Sequence, residues 1–408
     1  MNEVAEKIAG EIGANGVISF ARFMELALYC PVYGYYEKEP DTLGRAGDYY
    51  TSVSVGSLFG QLLALQFAEW LAAGPKCGGA QIVEAGAHEG RLAGDILGWL
   101  RQWRPGLFAR LQYCIVEPSE RRRNWQERRL GEFGRAVRWV RQLSELASAD
   151  PSPVAGGGGG VRGIVFANEL LDAMPVHRIG WDAKERTWFE WGVTLQEGRL
   201  AWAAVRSPQS TVQARGEQGS GLEWGYRVRG LDGYMGGAGG VERASNSWEE
   251  LLAVLPDGFT LEVGLAAEGW WRQAANVLAQ GRLLTIDYGL TAEQFLAPER
   301  REGTLRAYSR HRQSRAVLAH PGNQDITAHV NFSALRAAGE SAGLETEAFL
   351  SQEDFLTRIA ARIWQGEVGF GEWTPARTRQ FRTLTHPQHL GRPFRVLVQR
   401  RGKLVMED

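Results

Sequence analysis

Ile82-Val83-Glu84-Ala85-Gly86-Ala87-His88-Glu89-Gly90 is the stretch on which the fold turns. An apolar run ends there in an acid and a glycine-bearing turn. A helical pattern follows at once, with Leu92, Ile96, Leu97 and Leu100 spaced for one buried face and Asp95 beside them. In a parallel α/β sheet the turn after the first strand must let backbone approach a ligand closely, and glycine lacks the Cβ that would block it. The first amides of the helix then face a nucleotide-type cofactor. A full dinucleotide fingerprint reads G-x-G-x-x-G, whereas here the glycines are Gly86 and Gly90 with His88 midway between them. Taken alone, the segment reads equally as an ordinary strand-to-helix turn that uses Gly86 for a positive φ.

The following strands favour the cofactor reading. Tyr113-Cys114-Ile115-Val116-Glu117 is a second apolar run ending in an acid, where a βαβ unit places the carboxylate that grips ribose hydroxyls. No basic residue stands directly beside Glu117 in the sequence, which suits an unphosphorylated ribose. A third acid-bearing strand end is Gly163-Ile164-Val165-Phe166-Ala167-Asn168-Glu169, followed by Leu170-Leu171-Asp172-Ala173-Met174-Pro175. The sheet pattern resumes at Phe259 to Val263 and at Arg282 to Gly289, and Phe394 to Val398 reads as a strand that closes it.

Around this core, Ser19 is placed to cap a helix carrying Phe20, Phe23, Met24, Ala27 and Leu28, which Pro31 then ends. A second apolar helix runs through Leu58, Phe59, Leu62, Leu63, Leu65, Phe67 and Trp70 to a break at Gly74-Pro75. Gly156 to Gly160 is a connector, and short aromatic runs such as Trp188-Phe189-Glu190-Trp191 alternate with glycine-rich turns as hairpins. The expected organisation is a helical cap over 1–75, a core over 76–180 and 255–408, and an inserted hairpin and glycine-rich region over 181–254.

The 408 residues, 44% of them hydrophobic, suffice for one large α/β domain with additions or for two domains. With 46 basic against 47 acidic residues, a broad electrostatic footprint for nucleic acid is not indicated, and Arg121-Arg122-Arg123 reads as a solvated face. Cys30, Cys77 and Cys114 form neither a CxxC pair nor a disulfide framework. No run has transmembrane length, and the acids between Met1 and Ile18 argue against a transit peptide, so a cytoplasmic protein without membrane insertion is expected. His386-Pro387-Gln388-His389 lacks a nearby third ligand, so no metal site is expected.

The order of motifs resembles the MidA-type S-adenosylmethionine-dependent methyltransferases, whose mitochondrial members assist assembly of respiratory complex I. The resemblance rests on Pro31 to Tyr36, Gly47 to Ser52, the Glu84 loop, Phe166 to Pro175, Ile286 to Gly289, Gly303 to Tyr308 with His311-Arg312, and Asp325 to Phe332. It implies a class I methyltransferase fold, Rossmann-like, with a seven-stranded sheet, an antiparallel final strand and a helical N-terminal cap. It also implies S-adenosylmethionine as cofactor, with Glu84, Gly86, His88 and Gly90 at the methionine and ribose portion and Glu117 on the ribose hydroxyls. Gly47, Asp48, Thr51 and Ser52 would close the site. Three departures stand out. His88 replaces a central glycine, Ser54 stands where an acid is usual, and Asn331 stands where aspartate is commoner.

The family's mitochondrial members resemble protein arginine methyltransferases, which implies a protein substrate, such as a complex I subunit, and methylation of arginine. A guanidinium is a poor nucleophile because its charge is delocalised and its pKa exceeds ~12. Glu169 and Asp172, with Asn168 beside them, would orient the target nitrogen through charge-assisted hydrogen bonds, and Glu169 would accept its proton. The same acids also suit a helix N-terminus. Two other classes share these features: an assembly or binding protein that has lost donor use through His88 and Ser54, and a nicotinamide oxidoreductase.

Overall fold

The structure is a computed structural model that describes residues 2–38, 51–72, 80–147, 159–205, 254–309 and 312–402. The chain folds as two compact units, one of Met1–Thr42, Asp172–Gly269 and Gly289–Ala338, the other of Leu43–Leu171, Trp270–Tyr288 and Gly339–Asp408.

Among the described residues seven paired strands build the sheet of the second unit, the fifth running on two residues past its bounds: β1 (Ala80–Ala85), β2 (Leu111–Val116), β3 (Val137–Val140), β4 (Val161–Asn168), β5 (Leu278–Leu290), β6 (Glu345–Ser351) and β7 (Phe394–Arg401). Their spatial order is β3-β2-β1-β4-β5-β7-β6. Every neighbour pair is parallel except those of β7, which runs antiparallel to both β5 and β6. This is the class I methyltransferase sheet with its antiparallel final strand. The centre of a parallel sheet is covered on both faces, so its strands are apolar throughout and not alternating. In β4, Ile164, Val165, Phe166 and Ala167 are all buried. Helices Leu58–Ala72 and Arg91–Trp103 supply the apolar faces expected of them, with Leu62, Leu63, Phe67, Leu92, Ile96 and Leu100 in the same core as Phe166. The Phe67 and Phe166 rings lie 5.1 Å apart. Two further helices, Gln352–Trp364 and Pro375–Leu384, fall between β6 and β7.

In the first unit, helices Glu3–Asn15 and Phe20–Tyr29 open the chain. The Ser19 hydroxyl accepts the Arg22 N–H at 3.1 Å, so the expected cap is formed, and Phe20, Phe23, Met24, Ala27 and Leu28 are buried. The hairpin of Thr187–Gln196 and Arg199–Val205 turns at Glu197 and Gly198, both with positive φ, as a tight two-residue turn requires. Residues 206–253, most of the expected glycine-rich region, lie outside the described residues. One expectation is overturned: Phe259 to Val263 does not resume the main sheet. Thr260–Val263 pairs antiparallel with His177–Asp182, with Val263 opposite His177. A short apolar run signals a strand, but long-range pairing chooses its sheet.

Phe166→Ala removes a ring from the middle of β4 and should cost about 3–5 kcal/mol, read as a lower urea midpoint with unchanged slope.

Candidate active site

Parallel pairing sets Ala85 opposite both Val116 and Ala167, and Ile286 opposite Asn168. The acids at these strand ends, Glu84, Glu117, Glu169 and Asp287, therefore lie along one carboxyl edge of the sheet, where open α/β sheets bind ligands.

The β1 turn contains three residues in left-handed conformation, Gly86 (φ 77°), His88 (φ 46°) and Gly90 (φ 80°). A Cβ on Gly86 would come within 3.0 Å of the Leu170 side chain, so both the backbone conformation and the close approach call for glycine. His88 has no such freedom, and a side chain in this region costs about 1–2 kcal/mol. Its imidazole is half-buried, and burial together with Arg122, Arg91 and Arg129 lowers its pKa to about 4, which keeps it neutral at pH 7. Glu84 is buried and accepts a hydrogen bond from the Tyr113 hydroxyl at 2.6 Å. Burial raises its carboxyl to about 7 against the opposing pull of Tyr113.

Glu117 is also buried, and the expectation of no base beside it is corrected. The Arg122 guanidinium donates to Oε1 at 2.9 Å, the Ser119 N–H donates to the same oxygen at 2.9 Å, and the Gln126 amide donates to Oε2 at 3.0 Å. Arg122 is five positions away in sequence, and helix Glu120–Leu130 brings it back onto the strand end.

Glu169 is half-buried at φ 49°, and its N–H donates to the Ile286 carbonyl at 3.0 Å. Its Oε1 accepts from the Ser52 N–H and the Asn168 amide, both at 3.1 Å, and no described residue donates to Oε2. Burial, then Asp287, raises this carboxyl to about 8, against the two donors. Asp287 is fully buried and accepts the N–H groups of Leu170, Leu171 and Tyr288 at 3.2, 2.8 and 2.8 Å. Asp172 belongs to the first unit, where its carbonyl accepts the Ala328 N–H at 2.9 Å.

Thr51 and Ser52 are at the start of helix Ser52–Val55, and Ser52 is buried with its hydroxyl donating to Gln352 Oε1 at 3.0 Å. Gly47 and Asp48 lie outside the described residues. Two of the departures preserve a local function. Ser54 Oγ accepts the Thr51 N–H at 3.0 Å while Thr51 Oγ1 accepts the Ser54 N–H at 3.0 Å, so serine completes the capping box that an acid would make. Asn331 Oδ1 accepts the Ala334 N–H at 3.1 Å, as aspartate would.

The edge suits S-adenosylmethionine in its chemistry. It offers buried carboxylates for hydroxyls, an exposed Gly86 without Cβ, and at Asn168 a buried Oδ1 that has no partner among the described residues.

The topology and these strand ends define a class I methyltransferase. A family model described as "Putative S-adenosyl-L-methionine-dependent methyltransferase" matches residues 62–350. The chain belongs to this family, and S-adenosylmethionine is its cofactor. It is similar to a Burkholderia thailandensis superfamily protein crystallised with S-adenosyl-homocysteine, at 29% identity and a TM-score of 0.76, covering 98% of this chain and 92% of that one. It is also 26% identical over 420 residues to the protein arginine methyltransferase NDUFAF7, mitochondrial, of Rattus norvegicus, covering 94% of this chain and 81% of that protein. The Homo sapiens protein of the same name is 26% identical over 386 residues, covering 86% and 72%. The nicotinamide reading falls with this assignment. The cytoplasmic expectation is corrected as well, because the curated relatives are mitochondrial proteins. Cysteine spacing does not single out one compartment. Among the described residues no helix is long and apolar enough to cross a membrane.

Sequence reasoning gave no role to Tyr113, Arg122, Gln126 or Asp287. Asp287 carried a signal, an acid ending an apolar run, and Gln126 carried another, a polar residue on the buried side of a charged helix.

Because folding raises the Glu84 carboxyl to about 7, the native state holds a proton that the unfolded chain has already released above its ordinary carboxyl range. This contribution to stability is complete below pH 4.5 and is lost as pH rises through about 7. Glu84→Gln stays neutral, so its stability relative to the parent should rise between pH 5 and pH 8 in parallel urea titrations.

Proposed function

We propose that this methyltransferase modifies a protein at arginine, with Glu169 as the group that receives the target guanidinium. The observation that carries the reading is the Glu169 carboxyl itself. It is half-buried at the end of β4, Oε1 is held by Ser52 and Asn168, and Oε2 has no donor among the described residues. The arginine methyltransferase names of the curated relatives support the acceptor class. Assembly of respiratory complex I is the process in which such a protein acceptor would arise.

S-adenosylmethionine supplies a methyl group on a sulfonium, whose C–S electron pair leaves with sulfur. In the proposed arrangement Glu84, Gly86, His88 and Gly90 hold its methionine and ribose portion, and Glu117 accepts from the ribose hydroxyls. Thr51 and Ser52 complete the site. Glu169 orients the guanidinium, with Asn168 fixing the Glu169 rotamer through its amide. Glu169 takes the proton that the target nitrogen loses. Only the ionised carboxylate can do either task, and burial holds it protonated up to about pH 8. An incoming guanidinium favours the ionised form and lowers that value.

Transfer from radiolabelled S-adenosylmethionine to arginine-containing protein should therefore increase as pH rises toward 8. Glu169→Gln should lower transfer by about 10²-fold or more and leave affinity for S-adenosylhomocysteine within threefold. Unchanged turnover in that variant would exclude Glu169 from the chemistry. The second reading, a protein without methyl transfer, is favoured by the His88 side chain in a turn of left-handed residues. Its signature would be cofactor binding without transfer, restored by His88→Gly.

A further inference from the structure

We infer that Gln126 is a positioning residue for the cofactor, tying the β1 turn and the acid at the β2 end into one rigid edge. The inference rests on the reading of Glu117 as the acid that accepts from ribose.

Gln126 lies on helix Glu120–Leu130, Glu-Arg-Arg-Arg-Asn-Trp-Gln-Glu-Arg-Arg-Leu, a segment with little apolar surface of its own. Within it Gln126 is fully buried. Burying an amide is unfavourable unless its hydrogen bonds are made, and here they are. Nε2 donates to the His88 carbonyl at 2.9 Å and to Glu117 Oε2 at 3.0 Å, which uses both of its hydrogens. Oε1 accepts from the Trp139 indole at 2.9 Å. The indole nitrogen only donates, so it must face the amide oxygen, and this fixes which way the amide points. One side chain thus joins the turn after β1, the end of β2 and β3.

No other residue type of this length makes that junction. Glutamate lacks the two donors, leucine lacks donors and acceptor, and asparagine is one methylene short. Two consequences follow for the edge. The Gln126 hydrogen bond anchors the carbonyl of His88, the residue whose left-handed backbone is costly, and so opposes relaxation of the β1 turn. With Ser119 and Arg122 on Oε1, Gln126 also completes a set of three donors on Glu117. A carboxylate has about four acceptor sites, so the acid is held in one rotamer with about one site left for a ribose hydroxyl. The cofactor then meets an acid already in place and does not have to order it, which is how supporting hydrogen bonds raise affinity.

The test is isothermal titration of the full chain with S-adenosylhomocysteine, in parent, Gln126→Leu, Glu117→Ala and the double variant, with circular dichroism confirming that each is folded. Gln126→Leu should weaken binding about tenfold in the parent background and by less than about threefold once Glu117 is absent, the non-additivity expected of two groups acting as one unit. Gln126→Glu provides a second arm that preserves shape. At pH 8 its carboxylate opposes Glu117 and binding should weaken at least as much. At pH 5 a proton shared between the two carboxyls restores one donor, and affinity relative to the parent should recover severalfold. A residue that only stabilises the helix would give equal losses in both backgrounds and no pH-dependent recovery, and that result overturns the inference. If Glu117→Ala binds as tightly as the parent, the assignment of Glu117 fails and the inference with it. If Glu117→Ala weakens binding but Gln126→Leu does not, the inference alone fails.

Discussion

Asp287 is the constraint on which the carboxyl edge depends. It is completely buried in β5, one residue beyond the last pairing with β4, and three backbone N–H groups, from Leu170, Leu171 and Tyr288, converge on it. A buried carboxylate is tolerable only when donors replace its lost hydration, and backbone amides are donors that cannot rotate away. The interaction therefore fixes the path of the chain leaving β4. That path holds Glu169 in a left-handed conformation and sets its carboxyl beside Ser52 and Asn168. The register of β4 against β1 then brings Leu170 against Gly86.

The edge carries less charge than its residues suggest. Glu84 and Glu169 have raised carboxyl pKa values, about 7 and 8, while His88 falls to about 4. Desolvation is the largest cause in all three, so near neutral pH their neutral forms are well populated. A cation arriving at such an edge restores the carboxylate it needs, and the ionisation is coupled to binding. At Glu117 three donors, from Arg122, Ser119 and Gln126, are in place before any ligand arrives.

The departures from the family's motifs separate into two kinds once the local structure is known. Ser54 and Asn331 each supply the side-chain oxygen that their positions require for capping. His88 is of the other kind, because a glycine there would relieve backbone strain that the histidine retains. The hydrogen bond from Gln126 to its carbonyl holds that conformation in place.

By itself the sequence determined the strands that end in acids, the glycine turn, the capped helix at Ser19 and the family. Each of these depends on residues close together in the chain, through apolar periodicity, the lack of a Cβ or a hydroxyl three positions from an amide. Tertiary structure alone decided the sheet to which Thr260–Val263 belongs, the arginine that pairs with Glu117 and the role of Asp287. These depend on pairing between distant segments, and Glu117 shows why spacing misleads: Arg122 is five residues along but reaches the same carboxylate because the intervening turn enters a helix. Protonation was likewise hidden from the sequence, because the shifts at Glu84, Glu169 and His88 arise from burial, which exists only after the chain has packed.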